Sequence, residues 1–221
     1  DVSTIGSGMP LLQHNNMLKG IHPEFSPDGV ILGTFVGSST TGEGSYSPNG
    51  YRLYRLPEGE HIQTIRASWT QFSPDGKVLL SWNYGDDEAH LWLLPQGDHI
   101  KEIKLWTPHS PFRAQFSPDG KVLATVNRHM ESEKLYTELW LIPCGEFITT
   151  VRADDSQFSP DGRVLLSWNY GRYPYTHHLR RDVHLWLLPG GEHIREINPN
   201  DKWINSLFSP DGKVLATFGP D

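Results

Sequence analysis

One phrase written five times, short β-rich runs between Pro-Gly turns, and the absence of helical periodicity together predict an all-β fold. The expected architecture is a β-propeller of four-stranded antiparallel blades, five in number, with the last blade closed by strands from both termini. The phrase is QFSPDG at 71–76, 115–120 and 157–162, and its last five letters recur at 25–29 and 208–212. From one repeated Phe to the next the spacings are 47, 44, 42 and 50 residues, the range of stacked supersecondary units.

Each unit reads as four strands in order. Strand a ends in the Gln-Phe pair, strand b follows as KVLLSW (77–82), strand c as HLWLL (90–94) and strand d as HIKEI (99–103). Between a and b, Ser-Pro-Asp-Gly fits a type I turn followed by a left-handed glycine, with Pro fixing φ at the second position and Gly taking the positive φ. Asp28, Asp75, Asp119, Asp161 and Asp211 are therefore turn residues, because an acid repeated identically in every unit cannot be the one special acid of an active site. The LPxG segments at Pro57, Pro95, Pro143 and Pro189 join strands c and d, and they read as a second Pro-x-Gly hairpin of the same logic. The aromatics of strand c, Tyr54, Trp92, Trp140 and Trp186, are expected to pack between neighbouring sheets.

The register also addresses the ends. Pro57 and Pro143 each stand 15 residues before the next repeated Phe, and Pro10 stands 15 before Phe25, so a strand d is expected at the N-terminus. The C-terminal segment supplies strands a and b. The expectation is one domain over 1–221, with blades at about 21–66, 67–106, 110–152 and 153–198, and a fifth made of 203–221 joined with 1–19. Such closure pairs strands that would otherwise be exposed edges.

Composition narrows the function classes. A hydrophobic fraction of 37% with 20% charged residues is that of a globular protein, and no apolar run approaches the roughly 20 residues a membrane helix needs. No signal peptide is visible, and a soluble, cytoplasmic setting is expected. A formal net charge of −7 argues against nucleic acid and against anionic membrane, both of which select for excess Lys and Arg. The single Cys144 excludes an internal disulfide framework and reads as an incidental thiol in a turn.

FSPDGKVLA, followed by Leu-Trp at strand c and Gly-Glu at the next turn, resembles the WD-repeat propellers and the related propellers rich in SPDGK repeats, over essentially the whole chain. The resemblance implies a scaffold that binds other molecules. The chain departs from the family in three ways: Trp92, Trp140 and Trp186 are each followed by Leu, the Gly-His pair before strand a is missing, and material is present for five units where most members have seven. A five-bladed ring, a piece of a longer propeller and partial rings completed by oligomerisation remain open; the Pro10 register favours the first, which would be a monomer.

In a four-strand meander the a–b and c–d turns share one end of the sheet, and the b–c and d–a loops share the other. The first end carries the uniform turns. The second carries all that differs between units, and variable loops on a rigid scaffold are where binding residues concentrate. The candidates there are Trp69, Trp106, His109, Phe112 and Trp203, with Tyr173, Tyr175, His177, Arg180 and Arg181 on a neighbouring arm. Aromatic and Arg side chains are the usual anchors of protein interfaces, so a protein or peptide partner is expected. A carbohydrate-binding or glycoside-cleaving propeller is the alternative, with Glu24, Asp154, Asp155 and Asp201 as its available carboxylates. The position before the repeated Phe reads Glu24, Gln71, Gln115, Gln157 and Leu207, acidic in one unit alone, which argues against catalysis. No cofactor is expected. No metal is expected either, since His14, His61, His99 and His193 all open strand d and are spread round the rim, and His177 and His178 lack a second ligand cluster.

Overall fold

The computed structural model describes residues 21–36, 50–83, 85–105, 113–128, 135–170, 180–197 and 205–218. Among the described residues all regular structure is β, in two compact units, Asp1–Lys104 and Leu105–Asp221.

The first unit holds two four-stranded antiparallel sheets. One is β1 (Ile21–Phe25), β2 (Ile31–Val36), β3 (Gly50–Arg55) and β4 (Glu60–Ile65); the other is β5 (Trp69–Phe72), β6 (Val78–Trp82), β7 (Glu88–Leu93) and β8 (Asp98–Lys104). The second unit repeats the plan with β9 (Arg113–Phe116), β10 (Val122–Arg128), β11 (Leu135–Leu141) and β12 (Glu146–Val151), then β13 (Asp155–Phe158), β14 (Val164–Tyr170), β15 (Arg180–Leu187) and β16 (Glu192–Glu196). It ends with the pair β17 (Asn205–Phe208) and β18 (Leu215–Phe218). Every sheet is a meander in chain order, as the expected blade plan requires. The strands c and d expected of the fifth blade lie in 1–19, outside the described residues.

The Ser-Pro-Asp-Gly turns have the expected backbone and one partner the sequence did not announce. In each, the Gly N–H donates to the Ser carbonyl at 2.8–2.9 Å and the Gly takes φ between 71° and 74°. The Ser side chain then ties the hairpin together: in the second sheet Ser73 Oγ donates to Asp75 Oδ1 at 2.7 Å and accepts from the Val78 N–H at 2.9 Å, while Asp75 Oδ1 accepts from the Lys77 N–H at 3.2 Å. The other four turns repeat these bonds. In the four complete sheets that Ser is buried. A turn whose polar groups are all paired can be buried without leaving an orphan donor.

The c–d turns depart from the expectation. They do not follow the logic of the first turn: Leu56-Pro57, Leu94-Pro95, Ile142-Pro143 and Leu188-Pro189 are all cis, and the turn glycine donates four residues back, as from Gly59 to the Arg55 carbonyl at 2.8 Å.

Neighbouring sheets within each unit interlock through these turns. A Cβ placed on Gly76 would stand 2.5 Å from Asp28 Cγ of the preceding sheet; on Gly162 it would stand 2.8 Å from Asp119 Cγ, and on Gly212 2.8 Å from Asp161 Cγ. Gly76, Gly162 and Gly212 thus meet two demands, a positive φ and a flat surface for the carboxylate of the sheet before them. The c–d turns add a second contact, with Gln63 Nε2 donating to the Gly97 carbonyl at 2.6 Å. Beneath the turns, Phe72 with Leu79 and Leu94 packs against Ile31, Tyr51, Leu53 and Ile65 of the sheet before it. Phe158 does the same against Val122, Ala124 and Leu139, and Phe208 against Leu166, Trp168 and Val183. Burying such a ring contributes on the order of 1.5–3 kcal/mol. Phe25 is the exception among the repeated phenylalanines at 56% exposed, against 4–8% for the other four. Of the strand c aromatics, Trp92 and Trp186 pack against the inter-sheet clusters as expected.

Candidate binding surface

At the uniform end of the sheets the described aspartates serve the turns. The Ser159 hydroxyl, followed by the Arg163 N–H, holds the Asp161 carboxyl below its ordinary range, and Ser209 with the Lys213 N–H does the same for Asp211. These acids stay ionised because the turn donates to them, as expected of structural acids.

The variable end differs from sheet to sheet. In the first unit Trp69 opens β5 directly opposite Trp82, the last residue of β6; their rings stack with centroids 6.5 Å apart and planes within 14°. Trp69 is 57% exposed. The segment around it is clamped by Asn83, which accepts from Ser68 Oγ at 3.1 Å and donates to Asp86 at 2.9 Å and to the Arg66 carbonyl at 3.3 Å, while the Ser68 N–H donates to the Trp82 carbonyl at 3.1 Å. The outcome is a preordered indole platform at a loop-bearing edge, bordered by Asn and acid groups.

The second unit uses the same positions differently. Asp155 takes the place of Trp69 opposite Trp168, whose ring is buried at 5% exposed, and Arg113 Nη1 approaches Asp155 Oδ2 at 3.4 Å. Asn127 donates to Glu138 at 2.7 Å and Asn169 to Asp182 at 3.4 Å, so an asparagine at the end of strand b reaching an acid of the b–c segment or strand c recurs in three sheets. Burial pushes the Glu138 carboxyl up, the Asn127 bond opposing it.

Of the residues singled out from sequence, Trp69 stands exposed where a binding residue is needed. Trp106, His109, Phe112, Tyr173, Tyr175, His177, Trp203 and Asp201 lie outside the described residues. Arg180 opens β15 opposite Tyr170, and Arg181 follows it opposite Asn169. Of the carboxylates, Glu24 lies on β1 with its carboxyl raised by desolvation, Asp155 faces Arg113, and the Asp154 N–H donates to the Trp168 carbonyl at 2.9 Å. Sequence reasoning passed over Trp82 and Asn83. The signal for Trp82 was present, since the SPDG hairpin fixes the pairing of β5 with β6 and sets that Trp against Trp69.

The histidines are not all solitary. His99 on β8 meets His90 on β7, Nε2 to Nδ1 at 3.1 Å, and His193 on β16 meets His184 on β15 at 3.0 Å. Among the described residues there is no group of three or more His, Cys, Asp or Glu that could hold a metal ion. Cys144 is exposed in its turn, as expected. No helix among the described residues is long and apolar enough to cross a membrane.

No protein-family model matches the chain, and no curated protein matches it. Solved structures do. The complex of KlAtg21 with the coiled-coil of AgAtg16 matches with a TM-score of 0.54 at 11% identity, over 86% of this chain and 61% of that one. The Pyrococcus horikoshii acylaminoacyl peptidase matches with a TM-score of 0.50 at 16% identity, over 86% of this chain and 34% of that one. The Kuenenia stuttgartiensis hydrazine synthase matches at 0.46 and 16% identity, over 88% of this chain and 60% of that one. The chain spans 34–61% of the length of these structures. At such identities the first two likenesses support the propeller-like all-β fold and stop there.

Proposed function

We propose that this protein is a non-catalytic propeller that binds a protein or peptide through the end of its sheets carrying the b–c and d–a loops, with Trp69 as an anchor. One observation carries the reading: an indole 57% exposed, yet already stacked on Trp82 and flanked by a hydrogen-bonded clamp. A large aromatic held in place before binding gives up little conformational freedom when a partner covers it, which is why such residues dominate interface energetics. The acids at this end speak against catalysis in the same terms, since Asp155 faces Arg113 and Glu138 is engaged by Asn127. Membership among the WD-repeat propellers belongs to this reading, as does a single domain over 1–221 in which 203–221 and 1–19 complete one blade. A monomer in solution follows from that closure; a piece of a longer propeller, or partial rings completing one another, would give multiples of one chain's mass.

The same platform supports a second reading, because a flat exposed indole also suits the apolar face of a sugar ring, and the residues around it offer Asn and carboxylate partners. Selecting a displayed random peptide library on the wild-type protein, with Trp69→Ala as the counter-screen, and probing both proteins on a glycan array separates the two. Peptides that lose tenfold or more in affinity for Trp69→Ala, with a silent glycan array, support the protein-binding reading. Glycan binding that depends on Trp69 moves the assignment to carbohydrate, and peptides that bind both proteins equally overturn the role of the platform.

A further inference from the structure

The repeat that writes His-Leu-Trp-Leu-Leu in strand c and His-Ile in strand d builds the same histidine pair twice, at His90 with His99 and at His184 with His193. The other two complete sheets lack it, holding Arg52 with His61 and Glu138 with Phe147 at the matching positions. The pair lies beside a bulge that all four complete sheets share. Pairing of β7 with β8 shifts between Leu91 and Trp92, so that Trp92 lies opposite His99 while His90 lies opposite Glu102, and β15 with β16 shifts in the same way between Leu185 and Trp186. His90 and Trp92 share one face of β7, and His99, opposite Trp92, stands on that same face, as do His184, Trp186 and His193 in the other sheet.

From this geometry we propose that each pair is a surface site for a divalent transition metal that favours right-angled coordination, copper(II) foremost and nickel(II) next. Two nitrogens 3.0–3.1 Å apart, each about 2.1 Å from one ion, subtend about 90–95° at it. That is the angle between adjacent ligands in square-planar or octahedral coordination; a tetrahedral zinc site would set the nitrogens about 3.4 Å apart. Imidazole nitrogen and this geometry select copper(II) and nickel(II), with copper(II) strongest by the general affinity order. At present one ring donates an N–H to the other, and a shift of tautomer frees both facing lone pairs without loss of a proton.

The surroundings hold the rings in place. Trp92 lies against His99 with ring centroids 5.0 Å apart and Trp186 against His193 at 4.7 Å, and each indole is itself fixed by a bond to Ser81 or Ser167 at 2.8 Å. The outer nitrogen of His90 lies 3.9 Å from Glu88 Oε2, and His184 pairs across the strands with Glu196. A carboxylate beyond the far nitrogen is the usual outer partner of a ligating histidine. His99 and His193 are exposed and His90 and His184 half-buried, so water can reach the remaining coordination positions.

The test titrates protein without an affinity tag with copper(II) and then nickel(II), reading tryptophan fluorescence, which bound copper(II) quenches, and the nitrogen hyperfine pattern in electron paramagnetic resonance. Two equivalents are expected, each coordinated by two nitrogens. His99→Asn loses one equivalent, as does His193→Asn, and the double variant loses both. A variant of the adjacent loop pair, H177N/H178N, and His61→Asn both leave the two equivalents in place. Retention of both equivalents in the double variant, their loss in H177N/H178N, or one-nitrogen spectra in the unaltered protein overturns the proposal. That last spectrum decides the matter even where a substitution disturbs folding.

Discussion

Replacing Gly76 with Ala and comparing it with Gly29→Ala isolates the contact that joins one sheet to the next. The two glycines occupy the same place in the same turn with φ of 73° and 74°, so the backbone cost of a side chain is common to both, on the order of 1–2 kcal/mol. Around Gly29 a Cβ meets nothing within 4 Å; at Gly76 it would lie 2.5 Å from Asp28 Cγ. Asp28 cannot simply swing away, because its Oδ1 accepts from Ser26 Oγ at 2.6 Å and from the Val30 N–H at 3.1 Å. Breaking a hydrogen bond to a charged group costs roughly 1.5–3 kcal/mol. Gly76→Ala is therefore expected to destabilise by about 2.5–5 kcal/mol, and Gly29→Ala by about 1–2 kcal/mol. Urea denaturation followed by far-ultraviolet circular dichroism measures both. Adding Asp28→Ala to Gly76→Ala should recover most of the difference, as a coupling between the two sites. Equal losses at Gly29 and Gly76, or no coupling to Asp28, would refute the interlocking of the turns.

Ser159→Ala removes the donor to Asp161 and orphans the Val164 N–H, for a loss of about 3 kcal/mol. The same change at Ser209, whose turn is exposed, should cost about 1 kcal/mol or less in the same denaturation assay. At Glu138 the carboxyl is raised by burial, so the folded protein holds a proton more tightly than the unfolded chain does; stability from this group is present at low pH and lost as pH rises from the ordinary carboxylate value through the raised one. Glu138→Gln is accordingly expected to be more stable than the unaltered protein at pH 7, with the gain shrinking towards pH 4; an advantage that grows on acidification would reverse the assignment. For Asp161 and Asp211 the sign is opposite, because their lowered carboxyls contribute above the ordinary value and fail as pH falls, so substituting Asn there should blunt acid unfolding. Asn83→Ala breaks the clamp beside the indole platform; a loss of about 1–2 kcal/mol and a weaker near-ultraviolet signal from the stacked Trp69 and Trp82 are expected.

What could be read from the residues alone tracks how local the controlling physics is. The SPDG hairpin was legible because Pro and Gly restrict φ within four letters, and strands b and c because apolar runs bounded by turns have few other uses. The cis geometry at Pro57 and its counterparts was not, since the two isomers of such a bond lie within about 0.5–1 kcal/mol and tertiary packing chooses between them. The meeting of His90 with His99 was hidden for a related reason: counting back from the c–d turn along a regular ladder sets Lys101 across from His90, whereas the bulge between Leu91 and Trp92 sets Glu102 there, and side-chain packing settles which rings meet. At the variable end Trp69 could be named because its type suggests an anchor, whereas the half-buried Trp82 and the buried Trp168 occupy matching positions whose partners across the hairpin differ, Trp69 in one sheet and Asp155 in the other.

The seating of Asp28 against Gly76, and of Asp119 and Asp161 against Gly162 and Gly212, makes three joints of plug and socket from a turn whose Asp and Gly every copy carries. Since all copies carry both fittings, any copy can succeed any other in tandem, and duplication of a whole module never creates a mismatched joint. Such a chain lengthens or shortens by entire modules while its loops diverge freely, and a loss of the small residue at one joint would be felt at that seam alone.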